Sequence, residues 1–200
     1  MKIDHVKIYD LEECIVASGL PMLSAYDEAE FAENVAQLKT DYAQNQRNKH
    51  LTRACKLAAS PSASGHGNFL KGILVACNVT GTQAWWIQAG RYGHFVIDSS
   101  MSKMHRLKSM NFATSCHPKT SEISRQEVAK CVALDDIESL VYACPMGLEL
   151  TARVNTNYMQ LRIIYHQRKA HRLSEWHSFC HWIESLPLAR EFMTNSSDED

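Results

Sequence analysis

The chain has 200 residues, 45% of them hydrophobic, which is enough for one domain with a hydrophobic core. Its 21 basic and 22 acidic residues give a formal net charge of −1, which excludes the dominant basic surface of a duplex-DNA-binding protein. No segment approaches the roughly 20 apolar residues of a membrane span, and the N-terminus lacks the apolar core of a signal peptide. We therefore expect a cytoplasmic protein whose partners include neither a membrane nor duplex nucleic acid.

Strands and helices are predicted to follow one another through the first half of the chain. The elements are a strand over Lys2–Tyr9, a helix over Leu11–Ser18, an amphipathic helix from a capping signal at Ser24–Asp27 to about Gln46, a loop over Ser60–Gly65, a buried strand around Ile73–Cys77, and a helix over Thr82–Tyr92. These elements predict a fold that mixes helices with a small sheet.

The second half begins with a polar stretch and then continues the mixture of helix and strand. The predicted elements are a polar segment over Asp98–Arg106, a helix over Glu122–Tyr142 broken near Asp135, a strand over Leu148–Asn155, a helix over Tyr158–Lys169, and a last helix from Ser174 to Pro187. We expect a single domain over residues 1–190 and a disordered acidic tail over residues 191–200.

The helix predicted over Tyr158–Lys169 carries polar groups at both ends of an apolar stripe. At helical spacing, one face collects Asn157, Leu161, Ile164, Arg168 and then His171 with Arg172. A guanidinium on an inward face cannot shed its proton and is costly without an anionic or carbonyl partner. The pattern therefore indicates either a ligand site or a structural ion pair.

Cysteine and histidine spacings give little further chemistry. Seven cysteines are scattered without a CxxC pair, so they are most simply small core residues, with a lone cysteine nucleophile as the alternative. His177 and His181 have a spacing that can bind a metal on a helix, but no second ligand cluster accompanies them. The same helix carries a packing stripe of Trp176, Phe179, Cys180 and Ile183. We predict no metal site.

Common nucleotide and hydrolase motifs are absent. The glycines of residues 65–72 do not have the GxGxxG spacing, and Ile73 stands where a phosphate loop needs Lys. No GxSxG or HExxH motif occurs.

Four short motifs resemble, in order and spacing, those of the flavin-dependent thymidylate synthases. They are Ser64-Gly65-His66, then Gln88-x-x-Arg91, then Ser99-Ser100-x-Ser102-Lys103, and finally Pro145-x-Gly147-Leu148 leading to Thr156-Asn157 and Arg168. The resemblance covers most of residues 2–186. It implies the α+β fold of that family, a single domain with a small sheet flanked by helices, and a homotetramer whose sites combine residues from several subunits.

The resemblance also implies a role for each matching residue. Binding of dUMP or a related pyrimidine nucleotide falls to Gln88, Arg91, Ser99, Ser100, Ser102, Lys103 and Arg168; binding of FAD falls to His66, Asn68, Asn157, His171 and Arg172. Arg168 would also be catalytic, because it would stabilise negative charge that develops on the uracil ring. Methylene-tetrahydrofolate and a reductant are the implied co-substrates, and no cysteine nucleophile is required.

The residue types fit those roles, and each also has a plainer interpretation. Serine hydroxyls beside Lys103 can hold a phosphate, although such a cluster can equally be a surface loop. Gln88 and Arg91 lie three apart, which would place them on one face of the predicted helix. His66 can equally be a loop residue without a ligand.

Several positions depart from the family pattern, and two of them, Met159 and Ile163, are positions where the resemblance implies polar partners of the flavin. Tyr92-Gly93 replaces His-Arg, Lys103-Met104 replaces Arg-Tyr, Met159 replaces an Arg, Ile163 replaces an Asn, and no Arg occurs in Val141–Cys144. Each buried hydrogen bond that is no longer made removes about 1–3 kcal/mol. Substrate contacts are therefore better preserved than cofactor contacts.

Three functions are compatible with the sequence. The first is a divergent flavin-dependent thymidylate synthase-like methyltransferase, and the second is a nucleotide-binding or regulatory protein on the same scaffold that has lost flavin chemistry. The third is binding of single-stranded nucleic acid through Lys103, His105, Arg106 and Lys108 with Trp85 and Trp86 nearby. The balanced net charge argues against the third.

Overall fold

Strands and helices are mixed along the chain in the computed structural model, which describes residues 1–61 and 64–194. The strands are β1 (Lys2–Tyr9), β2 (Leu74–Thr82), β3 (Val96–Ser100) and β4 (Glu149–Asn157). The helices are α1 (Leu11–Ala17), α2 (Glu28–Ala43), α3 (Lys49–Ala58), α4 (Gln83–Ala89), α5 (Lys103–Arg106), α6 (Glu122–Ala133), α7 (Ile137–Ala143), α8 (Tyr158–Arg168) and α9 (Ser174–Glu184). Among the helices of the described residues, none has the length and hydropathy that a membrane crossing requires.

The four strands form one antiparallel sheet in the order β1-β2-β4-β3. β3 pairs with β4 through Val96 opposite Asn155 and Ser100 opposite Ala152, with an irregularity between Ile97 and Ser99. β1 and β3 are therefore the edge strands. This small sheet with its helices confirms the predicted α+β fold class.

The contacts divide the chain into two compact units. Unit 1 comprises Met1–Val6, Ala76–Asn155 and Arg172–Ser178, and unit 2 comprises Lys7–Val75, Thr156–His171 and the described residues from Phe179 onward. The single domain expected over residues 1–190 stays a prediction.

Unit 1 contains an aromatic cluster and a helical cluster. In the aromatic cluster, Trp85 is fully buried and its ring centroid lies 5.0 Å from that of Trp176 and 6.0 Å from that of Phe95. The helical cluster is formed by the buried side chains Leu107, Phe112, Cys116, Val128, Cys131, Leu140 and Leu148. Burial of this apolar surface holds α6 and α7 together.

Unit 2 is held by helices that pack on α8. The π-helical segment Arg190–Thr194 and the 3₁₀ turn His66–Lys71 both contact α8. Phe192 is buried and its ring meets that of Phe69 edge-on at 5.5 Å. The folded segment extends past residue 190, where the acidic tail was expected to begin, because Phe192 and Met193 are buried. Residues 195–200 of that tail, and Ser62 and Ala63 of the predicted loop, lie outside the described residues.

Capping residues place several helix boundaries where the sequence predicts them. Asp27 accepts a hydrogen bond from the Glu30 amide at 2.9 Å, which starts α2. The predicted break near Asp135 is confirmed, because Asp135 has a positive φ of 56° and Asp136 caps α7 through the Glu138 and Ser139 amides.

Two predicted elements are wrong in their boundaries or type. The helix expected over Thr82–Tyr92 ends at Ala89, with Gly90 as its C-cap, so that Arg91 lies in the following turn. The segment expected to be only polar contains β3, all five residues of which are exposed. An exposed edge strand lacks the apolar alternation by which a strand is recognised in a sequence.

A buried polar network in unit 2 joins α1, α2 and α3. The His50 side chain is buried, and its Nδ1 accepts a hydrogen bond from Arg53 at 3.2 Å. The ring proton therefore lies on Nε2, which donates to Asn34 Oδ1 at 3.0 Å. Arg53 also donates to the carbonyls of Ile15 and Val16 at the end of α1. Burial, and next the positive charge of Arg53, lower the pKa of His50 below its ordinary value.

The lowered His50 pKa predicts acid-sensitive stability. Below about pH 6.5 the unfolded chain gains a proton on His50 that the folded chain takes up only at lower pH, so the free energy of unfolding decreases as the pH falls. His50→Gln, which stays neutral, should show a shallower decrease in urea denaturation between about pH 7.5 and pH 5. If the free energy of unfolding of the wild type and of His50→Gln had the same pH dependence, His50 would not be the source of the acid sensitivity.

Candidate functional site

The residues predicted to bind ligands fall in both units. Unit 1 contains Gln88, Arg91, Ser99, Ser100, Ser102, Lys103 and Arg172, and unit 2 contains His66, Asn68, Asn157, Arg168 and His171. Each group is described within its own unit.

Asn157 starts α8, as its position before the predicted helix indicates. Its side-chain oxygen accepts a hydrogen bond from the Gln160 amide at 2.8 Å, and only 8% of the residue is exposed. The Tyr158 amide donates to the Ile73 carbonyl at 3.1 Å, which ties the start of the helix to the segment before β2. One lone pair of the Asn157 oxygen is therefore used in capping, which leaves its second lone pair and the amide nitrogen for the predicted contact with a cofactor.

Arg168 is the last residue of α8 and is half-buried. The His171 amide donates to the Arg168 carbonyl at 3.0 Å, so that His171 follows within one turn. Leu161 and Ile164 are buried on the same helix, whereas Ile163 is 41% exposed. The helix is thus not buried on all sides within this chain, and its exposed apolar side chain is available to another surface.

A cavity of about 730 Å³ in unit 2 adjoins the Gly-His turn. We call it the His66 cavity; it is lined by Cys14, Ala17, Ser18, Pro21, Met22, Arg53, Leu57, Gly65, His66, Asn68, Phe69 and Gly72. Its lining is mostly apolar, with His66 and Asn68 exposed at its edge. Its volume lies within the range of small-molecule sites in proteins, about 300–1,000 Å³. The structure therefore brings two of the predicted cofactor-binding residues to one cavity.

Met159 packs against the backbone of the Gly-His turn. Its terminal methyl carbon lies 3.5 Å from where a Cβ on Gly67 would stand. The thioether offers no hydrogen bond of the strength that an arginine gives to a phosphate. The substitution seen in the sequence thus puts an apolar group beside the turn that carries His66.

Arg53 and Cys14 also line the His66 cavity, although neither was predicted for this site from the sequence. Arg53 lines the cavity while its guanidinium holds the last carbonyls of α1. Cys14 also lines it, and burial raises the pKa of its thiol to about 11, so the reactive thiolate is rare at neutral pH. Arg53 donates to carbonyls that lie 37 and 38 residues earlier in the chain, a separation that no local sequence pattern reports.

Gln88 in unit 1 is engaged by the aromatic cluster. The Trp176 indole N–H donates to Gln88 Oε1 at 3.0 Å. The expectation that Gln88 and Arg91 share a helix face is wrong, because α4 ends at Ala89 and Arg91 lies exposed in the turn beyond it. Gly90 terminates the helix too early for the i,i+3 relationship to hold.

The serine cluster is not a loop, as was expected, but the end of β3 and the start of α5. Ser99 and Ser100 are consecutive strand residues, so their side chains point to opposite faces of the sheet. Ser102 caps α5 and accepts a weak hydrogen bond from the His105 amide at 3.4 Å. A single phosphate can therefore contact only some of these three hydroxyls.

Lys103 is held by a neutral partner. Its Nζ donates to Gln83 Oε1 at 2.7 Å, and Gln83 Nε2 in turn donates to the Pro145 carbonyl at 2.9 Å and to Cys144 Sγ at 3.3 Å. An amide oxygen does not cancel the positive charge, so Lys103 keeps a charge that can attract an anion. Gln83 was not among the predicted residues, although it orients the lysine.

The remaining candidates are Arg172, the pair His177 and His181, and the two tryptophans Trp85 and Trp86. Arg172 is exposed and lines a second cavity, of about 390 Å³, in unit 1. Within the described ranges, no group of three or more His, Cys, Asp or Glu side chains could hold a metal ion. His181 instead contacts Glu184 at 3.0 Å. Trp85 is fully buried, and the Trp86 ring centroid lies 4.8 Å from that of Trp85 and 6.4 Å from that of Phe95, so neither indole is a fully open stacking surface for single-stranded nucleic acid.

No family model and no curated protein matches the sequence. Solved structures do match the fold, among them the following three. A flavin-dependent thymidylate synthase of Helicobacter pylori, complexed with FAD and dUMP, aligns over 96% of this chain and 98% of its own at 12% identity, with a TM-score of 0.67. A second structure of the Helicobacter pylori thymidylate synthase X with FAD and dUMP aligns over 100% of both chains at 11% identity and a TM-score of 0.69. A UMP/dUMP methylase of Streptomyces cacaoi bound with 5-Br dUMP aligns over 96% and 95% at 12% identity and a TM-score of 0.60.

These matches confirm, at the level of the fold, the resemblance that the motifs indicate. The low identity leaves the role of each site residue as a prediction.

Proposed function

We propose that the chain is a divergent flavin-dependent thymidylate synthase-like enzyme that methylates dUMP or a related pyrimidine nucleotide, with FAD as cofactor and methylene-tetrahydrofolate and a reductant as co-substrates. The observation that supports the proposal most strongly is the fold, which over 96–100% of the chain is similar to two structures with FAD and dUMP and to a UMP/dUMP methylase. The sequence motifs named above occur in the same order.

The residues of the His66 cavity fit the ring system of a flavin. A planar ring needs apolar walls, which Met22, Leu57 and Phe69 provide, and polar groups at its edge, which His66 and Asn68 provide. When bound, a flavin would supply the carrier for the one-carbon unit and the reducing electrons. The dinucleotide tail has less support, because Met159 and Ile163 give it no hydrogen bond.

In the proposed reaction, Lys103 holds the nucleotide phosphate. Its charge remains available because Gln83 is neutral, and Gln83 fixes the position of the ammonium group by its own bond to the Pro145 carbonyl. A lysine acts on phosphate as a point charge, so geometric selection falls to the neighbouring hydroxyls, such as Ser102.

Arg168 is the proposed catalytic residue. A guanidinium stays protonated through the whole pH range of an enzyme, so it can donate to a uracil carbonyl and stabilise negative charge that develops on the ring. Its place in the last turn of α8 is favourable, because the carbonyl end of a helix attracts a cation. Burial raises the pKa of the Cys14 and Cys180 thiols to about 11, which agrees with a reaction that uses no thiolate.

We further propose a homo-oligomer, as in the resembled family. Ile163 is exposed on α8, where Leu161 and Ile164 are buried, and a partner subunit would remove that apolar surface from water.

A second function is favoured by Met159 and Ile163: a nucleotide-binding or regulatory protein that has lost flavin chemistry. Both positions are apolar where the resembled family places polar side chains, and Met159 packs on the Gly-His turn itself. In this second function, Lys103 and Arg168 still bind the nucleotide, but the protein does not catalyse its methylation.

Titration of the purified protein with FAD, followed by flavin fluorescence, separates the two functions. The enzyme proposal predicts saturable quenching that becomes tighter when dUMP is present, since cofactor and substrate would be coupled. Binding of dUMP without any FAD binding would support the second function. Absence of binding of both ligands would contradict both.

Lys103→Ala should weaken dUMP binding at least about tenfold, because a charge-assisted bond to phosphate is lost. Binding of deoxyuridine, which has no phosphate, should stay within about twofold. The measurement is isothermal titration of both ligands, with Lys108→Ala as the control, since Lys108 is a neighbouring lysine that pairs with Asp135. Equal losses for nucleotide and nucleoside would place the phosphate elsewhere.

Arg168→Ala should abolish turnover of dUMP and leave the folded structure intact, because the residue is the last of α8 and is half-buried rather than part of the core. Circular dichroism checks the fold, and methyl transfer from labelled folate checks the activity. Arg190→Ala, which removes an exposed arginine of the same unit, is the matched control. Normal activity of Arg168→Ala would remove the catalytic assignment.

A further inference from the structure

Arg53 lines the His66 cavity, although neither the sequence motifs nor the family resemblance gives it a role there. The residue lies in α3 and is half-buried. Among the described residues that line the cavity, it alone carries a permanent charge, since the others include neither a lysine nor a carboxylate. The electrostatic character of this cavity wall therefore depends on Arg53.

Only part of the Arg53 guanidinium is engaged by the protein. Its Nη2 donates to the Ile15 carbonyl at 3.3 Å, to the Val16 carbonyl at 2.9 Å and to His50 Nδ1 at 3.2 Å. Its Nε donates a weak hydrogen bond to the Ser18 hydroxyl at 3.4 Å. The two N–H groups of Nη1 have no acceptor among the described residues. The guanidinium is therefore oriented by the protein and keeps donors for a ligand.

The positive charge of Arg53 also lacks a carboxylate partner. Within residues 1–61 and 64–194, no ion pair includes Arg53. The carbonyls, hydroxyl and imidazole that it contacts are neutral, so they hold the guanidinium without cancelling its charge. A half-buried cation on the wall of a mostly apolar cavity attracts an oxygen atom that carries negative charge.

Gly19 allows the guanidinium to lie against the chain just after α1. A Cβ on Gly19 would stand 2.4 Å from Arg53 Cζ and 2.6 Å from each of Nη1 and Nη2. The far end of an arginine side chain can move more easily than backbone, so a side chain at residue 19 would displace the guanidinium. The missing side chain of Gly19 is thus part of what positions Arg53.

Arg53 also lines a smaller neighbouring cavity of about 210 Å³, together with Lys49. That volume is below the roughly 300–1,000 Å³ of small-molecule sites, whereas the His66 cavity of about 730 Å³ lies within that range. The walls of the smaller cavity also carry the carboxylates of Asp27 and Glu30, which disfavour an anion. A ligand oxygen is therefore expected to approach Arg53 from the His66 cavity.

We propose that Arg53 binds the carbonyl edge of a flavin ring in the His66 cavity and stabilises the negative charge that the ring acquires on reduction. Oxidised flavin takes up two electrons and one proton, at N5, and becomes an anion whose charge is shared between N1 and the C2 carbonyl oxygen. The electrons come from an external reductant, such as dithionite. Charge placed near N1 is one way in which a protein tunes a flavin. The proposal rests on the proposed function in that the cavity holds a flavin, but not on methylation of a nucleotide.

The test measures the reduction potential of FAD bound to the full chain, by stepwise reduction with dithionite in the presence of a reference dye. Arg53→Gln should lower the preference for reduced over oxidised FAD about tenfold, which lowers the potential of this two-electron couple by about 30 mV. Arg53→Lys should lie between Arg53→Gln and the wild type, because lysine keeps the charge and loses the planar fork of donors. Lys49→Gln, which removes the same charge from α3 but lines only the smaller cavity, should keep the wild-type potential.

Gly19→Ala tests the same contact with the arginine still present. Arg53→Gln also loses the bonds to the end of α1 and can unfold for that reason, whereas Gly19→Ala only displaces the guanidinium. Gly19 has a helical φ of −96°, which alanine adopts without strain. The potential of bound FAD should fall in this variant too, and circular dichroism should show an intact fold.

A wild-type potential in folded Arg53→Gln overturns the assignment of Arg53 and leaves the flavin site standing; if that variant does not fold, a wild-type potential in Gly19→Ala has the same meaning. An equal decrease in Lys49→Gln also overturns the assignment, because the effect would then come from overall charge. Failure of the wild type to bind FAD overturns both the Arg53 assignment and the enzyme proposal. The expected decreases in a protein that does not methylate dUMP support the role of Arg53 and remove only the proposed reaction.

Discussion

The junction between β4 and α8 depends on one side chain, Asn157. It ends the strand and caps the helix through the Gln160 amide, so that no loop separates the two elements. Because Asn157 determines the start of α8, Arg168 lies 11 residues after Asn157, in the last turn of a rigid helix. Displacing the cap would shift every later position of α8, including Met159 beside Gly67. The buried asparagine is therefore a structural requirement before it can be a ligand contact.

Polar residues at the resembled positions form bonds within the protein. Gln88 receives the Trp176 indole N–H, Lys103 donates to Gln83, and Asn157 caps α8. These bonds restrict the side-chain rotamers, which lowers the entropy lost when a ligand is bound. They also use donors or acceptors that a ligand would otherwise occupy. Lys103 is the least compromised of the three, because its amide partner leaves its charge intact.

The two cavities differ in the chemistry they offer. The His66 cavity is mostly apolar with polar groups at its edge, which suits a planar ring, whereas the cavity of about 390 Å³ in unit 1 is lined by Lys119, Arg172 and several hydroxyl-bearing side chains. The described thiols contribute to neither as nucleophiles: burial raises the pKa of Cys14 to about 11 and that of Cys77 to about 12. Chemistry at either cavity therefore relies on cations and hydrogen bonds.

The sequence by itself determined the local features: the break at Asp135 and the caps at Asp27 and Asn157, each of which depends on neighbours within four residues. It also indicated the fold through the order of short motifs. Only the tertiary structure decided which polar groups are already paired. Trp176 and Gln88 are 88 residues apart in the chain, Thr82 and Glu175 are 93 apart, and the two carbonyls that Arg53 holds are 37 and 38 residues away from it. Local patterns cannot report such contacts, because side chains distant in sequence meet only after the apolar core has brought their elements together.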